Sequence, residues 1–163
     1  MSKPSTKPST ENAPMRWVSL ALFVIVTMGL GATAGILTPP GEWYANLNQP
    51  SFTPPNWLFG PVWTALYAMV GVAGWRTWQR RYHGIAMQVW FGQLAVNLTW
   101  SPVFFGLHLI GLALLIIAIM VLLTILFIRL TWHTDRTAAY LMMPYLAWIS
   151  FASVLNAAFW VLN

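Results

Sequence analysis

The sequence predicts an all-α membrane protein: a bundle of five transmembrane helices with a cytoplasmic amino terminus and a proline-rich first loop forming a lid on the opposite side. Three observations carry that prediction. The first is composition, since 58% of the 163 residues are hydrophobic and 7% are charged. That is too few charges to solvate the exterior of a water-soluble globule, so lipid must cover much of it. The second is segmentation into five apolar stretches, each close to or above the ~20 residues that a helix needs to cross the hydrocarbon. The third is charge placement. If the stretches alternate across a bilayer, all eight Lys and Arg (Lys3, Lys7, Arg16, Arg76, Arg80, Arg81, Arg129 and Arg136) fall on one side or at its border. The positive-inside rule makes that side cytoplasmic.

Residues 1–15 are a Ser/Thr/Pro/Lys tail with little to bury and are read as disordered. Residues 16–163 form the one transmembrane domain. Its first stretch, Trp17 to Leu37, has basic residues before an apolar run and small residues at Ala32, Thr33 and Ala34, which also describes a secretory signal. The apolar run continues unbroken to Leu37, and Gly31 with Gly35 makes a small-xxx-small face suited to close helix packing, which favours a retained helix. The connection from Thr38 to Asn56 holds Pro39, Pro40, Pro50, Pro54 and Pro55. Proline fixes its own φ and lacks the amide donor, so this loop is stiff and loses little conformational entropy when it folds over something. It carries Trp57 and Phe59 and leads directly to Trp63.

The second stretch, Trp57 to Gln79, has Pro61 where a first helical turn tolerates it. The third, Gly84 to Leu107, sets Gln93, Asn97, Trp100 and Phe104 on one face. The fourth, Leu109 to Thr131, is almost wholly aliphatic and reads as scaffold exposed to acyl chains. The fifth, Thr137 to Leu162, sets Trp148, Ala152, Leu155 and Phe159 on one face with Asn156 beside it. Amides inside a bilayer are costly unless partnered. Gln93 and Asn97 therefore either bind helices together or line a cavity and meet a ligand. Trp17, Trp43, Trp75, Trp78 and Trp132 suit interfacial belts, whereas Trp63, Trp100 and Trp148 suit an aromatic chamber under the loop. A flat apolar molecule with a few polar edges fits such a chamber, because rings stack on tryptophan and amides meet the edge atoms.

Several function classes are excluded. The chain has no cysteine, hence no thiolate metal site and no disulfide framework. No nucleotide-binding motif occurs, and Glu11, Glu42 and Asp135 all lie in tail or loops, so no carboxylate in a span couples movement to protons. The basic residues form no stripe, and nucleic acid is not a partner. No acid–base pair, nucleophile elbow or metal set supports conventional catalysis. His108, on the lid side, is the one histidine placed to reach a haem iron, but a solvated interfacial residue is the commoner role.

Three passages, "WYANLNQPSFTPPNWLFGPVWTALYAMVG", "GQLAVNLTWSPVFFG" and "PYLAWISFASVLN", resemble the translocator protein or tryptophan-rich sensory protein (TspO/MBR) family, with the likeness running from about Gly29 to Asn163. The resemblance implies a homodimeric five-helix bundle that binds porphyrins, and in some members haem-like or sterol ligands and drugs, under the first loop. It carries over pocket positions Trp63, Tyr67, Asn97, Trp100, Trp148, Ala152 and Leu155, to which the loop reading adds Trp57 and Phe59. It implies no resident cofactor and no metal, with porphyrin as ligand. It implies a receptor or carrier with a role in tetrapyrrole transport or sensing. The alternatives are light- and oxygen-dependent porphyrin degradation using Trp63 and Trp148, or a structural, partner-binding membrane protein.

Two departures limit the carry-over. The late Tyr-then-basic sterol motif of animal members is missing from "LNAAFWVLN", and Leu112 stands where they have a pocket tryptophan, which implies a roomier chamber. The expected location is a bacterial inner membrane, with an outer membrane as the alternative.

Overall fold

A computed structural model describes residues 13–81 and 83–163. The polar tail falls almost wholly outside these. The described residues are helical or loop, with no strand among them. In chain order the elements are α1 (Ala13–Leu37), a short α2 (Glu42–Ala45), α3 (Asn56–Arg81), α4 (Ile85–Ser101), α5 (Ile110–Thr131) and α6 (Arg136–Leu162). Among the described residues, four segments are long and apolar enough to cross a membrane: Met15–Leu37 of α1, and all of α3, α5 and α6.

The third expected span is divided. α4 has 17 residues, about 25 Å of helix, and then continues as a π-helical turn over Pro102–Gly106. Pro102 has no amide to offer the previous turn, and the carbonyls beyond it take wider bonds: Leu107 N–H donates to Pro102 O at 2.9 Å and Leu109 N–H to Val103 O at 3.1 Å. α3 also begins earlier than the sequence suggested. Pro61 is its sixth residue, so the carbonyl of Trp57 goes without its usual donor at the loop end of the bundle.

Successive long helices run in opposite directions. Ser19 meets Trp75 while Gly31 meets Tyr67; Asp135 meets Arg76 while Trp148 meets Phe59; and Trp132 meets Tyr140 while Ile110 meets Asn156. Arg16, Arg76, Arg80, Arg129 and Arg136 therefore share one end, and α2 with the proline-rich loop caps the other. The main packing pairs place the helices in the ring α1, α3, α6, α5, α4.

The α1–α3 contact is close because Gly71 has no side chain. A Cβ there would stand 2.9 Å from Val24 Cα and 3.1 Å from Phe23 O, both backbone atoms that cannot swing aside. Gly71→Ala is expected to push α1 off α3 at a cost of about 1–3 kcal/mol, read as a lower melting temperature in detergent. Gly31 and Gly35 do not act together as the sequence suggested. Gly31 abuts the Tyr67 ring, whereas Gly35 meets nothing within 4 Å.

α5 is less of a bystander than its composition implied. Ala113, Ile117, Met120, Thr124, Phe127 and Thr131 recur at alternating steps of four and three, and all are buried. Thr124 and Thr131 donate their hydroxyls to Met120 O and Phe127 O, so neither is a polar orphan.

At the basic end Asp135 caps α6, accepting from Ala138 N–H at 3.2 Å. It also takes a bidentate grip from Arg76, at 2.9–3.2 Å, and a bond from Arg80 Nε at 2.9 Å. One carboxylate thus ties the end of α3 to the start of α6. Burial pushes this carboxyl up, but the hydrogen bonds from Arg76, Ala138 and Arg80 and the Arg76 charge outweigh it and hold Asp135 below the usual carboxylate range.

Candidate functional site

Asn97 organises the interior. On α4, its side-chain oxygen accepts from the Tyr67 hydroxyl of α3 at 2.5 Å, and its amide nitrogen donates to the Tyr145 hydroxyl of α6 at 2.8 Å. Three helices are joined by one buried amide. A satisfied polar group can stay in an apolar interior at little cost. Above it, Trp63 stacks on Tyr67 at 5.4 Å and meets Tyr145 edge-on at 6.4 Å. Trp100 stacks on Phe104 at 5.1 Å and donates its indole N–H to Asn156 Oδ1 at 3.1 Å, while the Asn156 amide donates to Ile110 O at 3.0 Å. Asn156 thereby fixes the plane of the Trp100 ring and anchors the start of α5.

These side chains surround a cavity of about 650 Å³, inside the range of about 300–1,000 Å³ usual for small-molecule sites. Phe59, Trp63, Tyr67, Asn97, Trp100, Trp148, Ala152 and Leu155 all line it. Trp57 does not: it is 72% exposed and stands two residues before the inward-facing Phe59, on nearly the opposite side of the helix. Tyr44 of α2 lines the cavity too, wedged against Phe104, Phe105 and Phe159. The π turn lets two consecutive rings, Phe104 and Phe105, face the same space. Ile117 and Met120 of α5 complete the wall.

Gln93 and Leu112 part from expectation. Gln93 shares the α4 face of Asn97 but lies below the cavity, fully buried, with neither amide atom partnered. Leu112 is 44% exposed and outside the wall, so a tryptophan's absence there does not enlarge the chamber. His108 is also outside the wall. It stacks on Trp43 at 4.2 Å in a left-handed backbone conformation, with φ of 58°. Among the described residues, no group of three His, Asp or Glu side chains is placed to hold a metal ion.

The loop end is tied down. The side-chain oxygen of Asn163 accepts from Asn48 N–H at 2.9 Å, its amide donates to Asn48 O at 3.2 Å, and Asn48 Nδ2 donates to Leu162 O at 3.2 Å. Asn163→Ala is expected to speed hydrogen–deuterium exchange at the Asn48 amide by about fivefold, since an exposed hydrogen-bonded contact is worth about 1 kcal/mol. Exchange in α4 and α5 serves as the unchanged reference.

Residues 2–161 match the model of the TspO/MBR family. The chain belongs to the TspO/MBR family. It is 38% identical over 156 residues to the tryptophan-rich protein TspO of Archaeoglobus fulgidus, covering 91% of this chain and 99% of that one. It is 38% identical to the tryptophan-rich sensory protein of Cereibacter sphaeroides, covering 87% and 89%. It is 34% identical to the human translocator protein, covering 88% and 89%. With its several apolar helices, this TspO/MBR member is an integral multi-pass membrane protein.

Trp148 has a feature that the sequence could not disclose. It lines the cavity and meets Phe59 edge-on at 5.8 Å, yet its indole N–H is buried without an acceptor. A buried unpaired donor costs about 1–3 kcal/mol.

Proposed function

We propose that the protein is a membrane receptor or carrier that binds porphyrins and similar flat apolar ligands in this cavity, with a role in tetrapyrrole transport or sensing. The observation that carries the reading is the wall itself, in which Phe59, Trp63, Tyr67, Trp100, Phe104 and Trp148 surround a space of small-molecule size with few polar groups. Ring faces stack on a planar guest, and the polar edge atoms of that guest meet Asn97, Ser101 and Thr38. In this reading α4 with its π turn is the remaining span, third in chain order and bringing the number to five, the basic end is cytoplasmic, and the proline-rich loop with α2 is the lid. The membrane is a bacterial inner membrane, and the chain works as a homodimer. No resident cofactor is needed.

A second reading has one observation in its favour: Trp63 and Trp148 both stand on the cavity wall, where a light-excited porphyrin and oxygen would reach them. Titration with protoporphyrin in the dark, followed by tryptophan quenching, separates the two. Saturable quenching is expected, with about tenfold weaker binding in Trp63→Ala and Trp148→Ala, each of which removes about 1–1.5 kcal/mol of ring contact. Porphyrin absorbance that survives illumination supports the carrier. Loss beyond a protein-free control, suppressed in Trp63→Phe or Trp148→Phe, supports degradation. Quenching that never saturates removes both.

A further inference from the structure

The cavity is closed at the loop end and open at its flank. On α3, Asn56, Gly60 and Thr64 recur every fourth residue; on α1, Ala32 and Gly35 stand three apart. All five line the cavity, and all five are exposed. Facing the cavity does not by itself expose a residue, because Ile117, Met120, Leu155 and Phe159 also line it and are buried. The exposure of the α1 and α3 residues therefore comes from outside the bundle, and they form the rim of a gap between these two helices.

The depth and chemistry of this gap indicate what it faces. Thr64 lies eight residues into α3, about 12 Å along its axis, and Ala32 lies five residues short of the end of α1, about 7–8 Å. The opening thus reaches well below the loop end, to the level of acyl chains. Its rim carries no charge, and the Thr64 hydroxyl is already donated to Gly60 O at 2.8 Å, so below Asn56 no rim side chain needs water. Ideal Cβ atoms at Gly35 and Gly60 meet nothing within 4 Å, whereas one at Gly31, lower on the same helix, would strike the Tyr67 ring at 2.2 Å. The helices touch at the floor and separate above it. The top, in contrast, is covered by buried Tyr44 and fastened through Asn48 and Asn163.

We propose that the ligand enters and leaves sideways, from the loop-side leaflet of the bilayer through the gap between α1 and α3, while the loop stays shut. This rests on the cavity being a binding site for a flat apolar molecule. Such a ligand dissolves in the membrane before it binds, and a lateral gap spares it passage through water. Small residues are required at the rim because any larger side chain would stand in the gap.

The chain has no cysteine, so Gly60→Cys and Gly35→Cys each supply a single thiol. Each variant, in lipid nanodiscs, is loaded with protoporphyrin, treated with a benzyl methanethiosulfonate, and mixed with excess albumin to take up released porphyrin. Release is expected to slow at least tenfold after labelling and to recover when a reductant removes the label. Labelling before loading is expected to slow association as well. A Leu122→Cys control, on the 66% exposed outer face of α5, is expected to show no change on labelling, and neither is Phe52→Cys in the loop.

A label that merely filled the cavity would weaken binding and speed release, the opposite sign. Unchanged or faster release from labelled Gly60→Cys overturns the proposal, as does slowing by the loop label instead. Failure of the thiols to react in nanodiscs also overturns it, because a second copy or another surface would then cover the gap. If the unmodified chain shows no saturable porphyrin quenching, the binding reading itself falls and the entry route goes with it. Saturable binding with no effect of rim labels removes the route alone.

Discussion

Asn97→Leu is expected to destabilise the protein by about 2–4 kcal/mol, a loss set by orphaned groups more than by lost bonds. Polar contacts between helices in a membrane average only about 0.6 kcal/mol, because the dissociated helices find other partners. Here, however, the substitution leaves two tyrosine hydroxyls without their partner in one interior, Tyr67 at 9% exposure and Tyr145 at 1%. Each buried orphan costs about 1–3 kcal/mol. Tyr145→Phe strands only the Asn97 amide hydrogens, and about half the effect is expected. Thermal unfolding in detergent, followed by helix signal, measures both. Equal losses in the two variants would show that Asn97 is not the hub of the network.

Asp135→Ala is expected to cost about 3 kcal/mol, the low end of the ~3–5 kcal/mol range for removing one partner of a buried ion pair. The upper part of that range is not expected, since Arg76 keeps partial access to solvent and Arg80 more, at 30% and 54% side-chain exposure. The helix cap lost with the carboxylate adds about 0.5–2 kcal/mol in its own right. Asp135→Asn keeps an acceptor for Ala138 N–H and should recover the cap alone. The same group predicts a pH dependence. Because its folded-state pKa is lowered, its stabilisation is complete above the unfolded-state value of about 3.9 and is lost as pH falls through the lower folded-state value. Melting temperature should therefore be flat in this contribution at neutral pH and drop below about pH 4, with the drop reduced in Asp135→Asn. An undiminished acid transition in that variant would assign it to other carboxyls.

The sequence was informative where its chemistry varied along a helix and silent where it did not. Asn97, Trp100, Trp148, Ala152 and Leu155 were legible because amides and indoles at helical spacing stand out from an aliphatic background. The buried face of α5 was not, because nearly every side chain around that helix is aliphatic and no periodicity separates Ile117 and Met120 from their lipid-facing neighbours. Trp57 and Phe59 look alike in sequence, but helix α3 has already begun at Asn56, and positions two apart on a helix diverge by about 200°. Tyr44 was hidden by the proline-rich loop, whose short helix has no signal beyond four residues. Gly35 reads as a packing surface in the sequence, because a glycine pair looks the same whether its partner is another helix or an open gap.

The widened turn at Pro102–Gly106 has a bearing on how such a chamber is reshaped. A π turn holds one residue more than the α-helical turn that it replaces, so deleting Val103 would restore the narrower winding. Tyr67, Asn97 and Tyr145, all anchored elsewhere, would be untouched by the change. One of the two adjacent phenylalanines would swivel toward the bilayer and leave a slot about the thickness of a ring. Insertions and deletions at this one spot give a way to alter the girth of the guest compartment that no substitution of its lining residues provides.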